Sequence, residues 1–147
     1  MGRVVGLLGI TVLLAAALVT PMSAGDEPLA SIDKFLVTLP TDFETIPGMA
    51  VKLMLEAGKG LFLLDLREPE EFSAERIEGA ANVPIRTLAR ATRMLPADKD
   101  TTIVVICRTG IRAAYATMTL KILGYTNVKD MAGGMVAWRN QQLPVAR

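Results

Sequence analysis

Residues 101–116 read TTIVVICRTGIRAAYA, and this stretch decides the fold. Residues 101–107 form the most strongly β-branched run in the chain and carry no charge, which is how a strand buried on both faces of a sheet reads. The chain then turns through Arg108, Thr109, Gly110 and Ile111, and a helix is expected from about Arg112 to Leu123, closed by Gly124. Upstream, residues 61–65 (LFLLD) are a second short apolar run between Gly60 and the charged REPEEF, and residues 81–84 (ANVP) a third strand. Helices are expected over residues 47–57, stopped by Gly58, and over 87–95. Downstream come a strand at 127–130 and a last helix at 135–141. Strands alternating with helices imply a parallel sheet with helices on its faces. Ligands in such sheets bind beyond the carboxyl ends of the strands, where Asp65 and Cys107 stand.

Composition removes several kinds of chemistry. Histidine is absent, so no Ser/His/Asp triad, Cys/His dyad or histidine-ligated metal is available. Arg3 is the only charge in residues 1–25, leaving 15 basic (16 − 1) and 15 acidic residues in the rest of the chain. A neutral domain has no basic excess to hold a phosphate backbone, so nucleic-acid binding is rejected.

Residues 1–25 read as an export signal: Arg3, an apolar run from Val4 to Val19, a break at Pro21, then the small residues Ser23, Ala24 and Gly25. Cleavage near Ala24 or Gly25 is expected, with delivery to a bacterial periplasm. An uncleaved N-terminal membrane anchor is the alternative. Residues 26–42 are expected to be a linker with a short helix near 31–37, and residues 43–147 the folded domain.

Cys107 is the only cysteine, so it has no internal disulfide partner. At the end of a buried strand, and followed by a turn into a helix N-terminus, its thiolate is favoured by backbone N–H groups and the helix dipole. Arg108 and Arg112 add positive charge that also attracts an anionic donor such as thiosulfate. Gly110 permits a tight turn or a close backbone approach. The duller reading is an inert buried thiol with solvated arginines and turn residues around it; the combination of flanking charges and position favours chemistry.

Four segments in order, FLLDLREPEEF, IEGAANVP, IVVICRTGIRAAYA and LGYTNVKDMAGGMVAW, resemble a single-domain rhodanese homology domain over residues 43–147. The resemblance implies an α/β fold with a central parallel five-stranded sheet and helices on both faces, and no cofactor or metal. It implies a sulfurtransferase in which Cys107 carries a sulfane sulfur as a persulfide, cradled by Arg108, Thr109, Gly110, Ile111 and Arg112. The partners would be a small anionic sulfur donor and a cyanide or thiol acceptor. A sulfur-relay or binding module acting with a protein donor or acceptor is the second reading. A phosphatase or arsenate reductase is a third reading, disfavoured because the six-residue loop from Cys107 to Arg112 resembles those of sulfurtransferases, whereas the related phosphatases have one residue more. Asp65 and Arg67 are expected either at the active-site edge or fastening the strand end to neighbouring loops. Gly133, Gly134 and Trp138 look like turn and packing residues. Two departures from the family pattern are Arg76, where a histidine is common, and Ala113, where RSA is commoner than RAA.

Overall fold

A computed structural model describes residues 26–39 and 44–147. The expected leader lies outside the described residues. Helix α1 (Asp26–Val37) precedes the sheet domain. The elements that follow are β1 (Thr45–Ile46), α2 (Gly48–Glu56), β2 (Phe62–Asp65), α3 (Pro69–Ala74), β3 (Ala81–Asn82), β4 (Ile103–Ile106), α4 (Ile111–Ile122), β5 (Val128–Met131) and α5 (Gly134–Asn140). The five strands form one parallel sheet in the order β1-β5-β4-β2-β3. This is the α/β architecture expected from the strand and helix alternation.

β4 occupies the centre because all four of its residues, Ile103 to Ile106, are fully buried apolar side chains. Alternate residues along a strand point to opposite faces. Ile103 and Val105 therefore join Leu64, Leu66, Ala113, Ala116 and Leu120 in one core layer, under α4. Val104 and Ile106 join Val51, Leu63, Met135 and Trp138 in the other, under α2 and α5. Helices thus cover both faces, which is why the strands read as continuous apolar runs rather than alternating ones. Truncating a buried leucine or isoleucine here would cost about 2–5 kcal/mol.

Four details depart from the sequence reading. The expected helix over 87–95 is two 3-10 segments, Ile85–Arg90 and Thr92–Met94. Only Leu88 of this stretch up to Met94 is buried, so there is no apolar stripe for an α-helix to lay on the core. The hydroxyl of Thr87 also donates back to the Pro84 carbonyl at 2.8 Å, a local bond that competes with helix. The helix near 31–37 begins earlier, at Asp26. β1 has only two residues, too few for a periodic signal. α3 begins inside REPEEF, where charge obscured it, and runs on to Ala74. Its N-terminus has Pro69 in the first turn and a reciprocal capping box between Glu68 and Glu71.

The chain runs outward through β2 and β3 on one side of the sheet and through β4 and β5 on the other. The connections after β2 and β4 therefore diverge, and a crevice opens between them at the carboxyl edge.

Candidate active site

Cys107 follows the last residue of β4 and is 1% exposed. The loop bends so that the Gly110 N–H donates to its Sγ at 3.1 Å. This bend requires Gly110 at φ +99°, a conformation that side chains rarely adopt. α4 begins one residue later, at Ile111, one position before the expected start, and no side chain among the described residues caps it. Its first amides have no intrahelical acceptor and leave partial positive charge at the loop.

The other end of the cradle is set by α5. The Met135 N–H donates to the Cys107 carbonyl at 2.9 Å and the Val136 N–H to the Arg108 carbonyl at 3.0 Å. These bonds turn two loop carbonyls away from the sulfur side. They also need Gly134, because a Cβ there would stand 2.7 Å from the carbonyl carbon of Arg108. Gly134 therefore acts on the loop as well as on packing. The loop is thus held by its own glycine on one side and by a neighbouring helix on the other.

The loop arginines differ. Arg108 and Thr109 are exposed. Arg112 is half-buried and grips Glu71 of α3 through two bonds, at 2.9 and 3.2 Å. That bond holds the Glu71 carboxyl below the usual carboxylate range. In return Glu71, and to a smaller extent the nearby Cys107 sulfur, hold Arg112 more firmly protonated. The sequence reading left Arg112 free for an anion; the fold gives it a carboxylate partner 41 residues away. The Ile111 side chain is 68% exposed and points away from the core.

Asp65 and Arg67 are not drawn into the loop. Both are buried, and the Arg67 guanidinium bonds both Asp65 oxygens at 2.7–3.0 Å and the carbonyls of Glu71 and Glu75 at 3.1 and 2.7 Å. Asn82 ties the two residues' carbonyls to β3. The pair thereby fixes α3, and with it Glu71.

Asp130 on β5 was missed. It is 5% exposed, its Oδ1 has no hydrogen-bond partner among the described residues, and both carboxylate oxygens lie 3.8 Å from where a Cβ on Gly110 would sit. Burial pushes its carboxyl up to about 6. The available signal was a lone acid in a strand otherwise reading as buried, VKDM.

The comparisons with known proteins agree with this geometry. The family model for the rhodanese-like domain matches residues 49–141. An adenylyltransferase and sulfurtransferase of Ogataea parapolymorpha, uba4, is 34% identical over 87 residues, 59% of this chain and 22% of that one. The chain spans about a quarter of the length of the first curated relatives it matches. The thiosulfate sulfurtransferase PspE of Escherichia coli is 33% identical over 72 residues, 49% of this chain and 68% of that one. The crystal structure of a rhodanese-related protein from Thermoplasma volcanium superposes with a TM-score of 0.61 at 32% identity, covering 70% of this chain and 97% of that one. A five-stranded parallel sheet, a strand-terminal cysteine in a helix-capped loop and a family match across most of the sheet domain together establish that this chain belongs to the rhodanese-like domain family.

Proposed function

We propose that the chain is a sulfurtransferase that carries a sulfane sulfur on Cys107. The thiolate attacks the outer sulfur of a thiosulfate-like donor, the S–S bond of the donor breaks, and sulfite leaves with the bonding electrons. The Cys107 persulfide then passes its outer sulfur to cyanide or a thiol. The observation that carries this reading is the Gly110 N–H held 3.1 Å from Sγ, at an uncapped helix N-terminus. A donor fixed there before reaction stabilises developing negative charge without reorganisation. Arg108, exposed next to the cysteine, supplies the cation an anionic donor meets first. Thr109, Ile111 and Arg112 complete the cradle. The leader would direct this activity to the periplasm or anchor it at the membrane facing outward.

A protein donor is the second reading, favoured by the relative in which the sulfurtransferase name is joined to that of an adenylyltransferase.

The test is the intact mass of the leaderless protein after incubation with thiosulfate and removal of excess donor. An added sulfur atom of about 32 Da, removed by cyanide and absent from Cys107→Ser, is the expected result. Cys107→Ser should fold normally and lose all transfer. Full activity in that variant would sink the mechanism, and no adduct on the unaltered protein would turn the search to a protein donor.

A further inference from the structure

Two acids are buried among the described residues, and only Asp65 has a cation to hold it. Asp130 makes no ion pair, and its Oδ1 accepts no hydrogen bond, among the described residues. It stands in register with Val105 of β4, and neighbours in register share a face of the sheet. Val105 packs in the core layer under α4, so the Asp130 side chain points to that face. Both its oxygens lie 3.8 Å from the position of a Cβ on Gly110, whose N–H donates to the Cys107 Sγ at 3.1 Å. With the bond lengths of that one residue added, the carboxylate stands within about 10 Å of the sulfur.

The charges on the elements packed around Asp130 are engaged elsewhere. On α4, Arg112 is held by Glu71 and Lys121 by Glu44, while the Tyr115 side chain is exposed. Beside β1, Glu44 has Lys121 at 2.7 Å and Lys129 at 3.7 Å. Lys129 precedes Asp130 on β5, so its side chain leaves the strand on the opposite face. β4 itself carries no charge and leads into Cys107, and Arg108 beyond it is exposed. The Cys107 sulfur and the Asp130 carboxyl therefore share the start of α4. Two negative charges that close, in surroundings that exclude water, disfavour each other.

We propose that Asp130 is a positioning residue that governs the charge on the Cys107 sulfur from beneath Gly110: ionised, it opposes the thiolate, and protonated, it lifts that opposition. The proposal rests on the sulfur-carrier reading and adds a pH control to it. Burial pushes the Asp130 carboxyl up to about 6, so its two forms exchange in mildly acidic solution, where an ordinary carboxyl is already ionised. The group never touches the donor. It acts through the loop amide and the helix end that also serve the sulfur, and the two acids titrate as a pair.

The experiment follows the rate at which iodoacetamide, an uncharged probe, labels the thiol of the full chain between pH 4 and 9, for the unaltered protein, Asp130→Asn and Asp130→Val. Below about pH 5, where Asp130 is protonated, all three should label alike. Above about pH 6 the two variants should label about tenfold faster, until the thiol is fully ionised in every protein. Tenfold is the effect of a unit charge at about 10 Å in an effective dielectric of about 20. A rate ratio that stays constant across the range, or no difference at any pH, overturns the proposal. So does a profile that differs between the asparagine and valine variants, because shape and not charge would then be responsible. Labelling needs no sulfur donor, so the outcome separates from that of sulfur transfer: normal loading by thiosulfate with a constant ratio sinks the role of Asp130 alone.

Discussion

Asp65 and Asp130 stand near the carboxyl ends of strands on opposite sides of β4, in register with Ile106 and Val105. Both are buried, at 0% and 5% exposure. Asp65 has Arg67 on both oxygens; Asp130 has an oxygen, Oδ1, with no partner among the described residues and a carboxyl pushed up to about 6. Burial is common to the two, so the partner makes the difference. A buried charge is tolerated where a second charge and further hydrogen bonds offset its desolvation, and is driven towards its neutral form where they are missing. On the β2 side the result is a rigid strut for α3. On the β5 side it is a group able to change charge under the sulfur loop.

The largest effect expected from breaking this contrast is at Arg67. Arg67→Ala leaves Asp65 buried without its cation and frees α3, and should cost about 3–5 kcal/mol in denaturant unfolding. Adding Asp65→Asn should recover part of that loss. A cost below about 1 kcal/mol would mean that the pair holds nothing in place.

Asp130→Asn should have the opposite sign. The folded state raises this carboxyl above its ordinary value of 3.8, so folding is penalised when the group ionises. The penalty is absent below about pH 4, grows as pH rises to about 6, and is constant above. The asparagine variant should therefore be more stable at pH 7 by about 1–3 kcal/mol, with the advantage vanishing towards pH 4. Thermal unfolding of both proteins across that range checks it. A constant difference would show that Asp130 is not the titrating group.

The smallest stability effect concerns Glu71, whose partner Arg112 is partly solvated. Glu71→Gln should cost less than about 1 kcal/mol at neutral pH. Because Arg112 lowers the Glu71 carboxyl, this contribution is present above the ordinary value of 4.5 and is lost as pH falls through the depressed one. The variant also releases Arg112 beside Cys107, so iodoacetamide should label the thiol a few-fold faster at neutral pH. An unchanged labelling rate would show that Glu71 does not restrain the arginine.

Much of this was legible in the chain itself. The β-branched run into Cys107 and the glycine three residues on mark β4, the loop and α4, because a strand buried on both faces and a turn needing positive φ each demand particular residue types. α3 was legible only in part: Pro69 and the Glu68–Glu71 spacing signal a helix start, but six residues show no period. The 3-10 segments were misread because helix-compatible residues over 87–95 do not reveal that the core accepts only Leu88 up to Met94.

The sequence by itself determined the alternation of buried strands and helices and the cysteine at the end of the central strand, since these depend on local residue type and spacing. The tertiary structure decided which charges meet. Glu71 reaches Arg112 across 41 residues, Gly134 makes room for the loop carbonyls, and Asp130 comes under Gly110 with its Oδ1 unpartnered among the described residues. Charge compensation depends on distance and burial in space, and separation along the chain fixes neither.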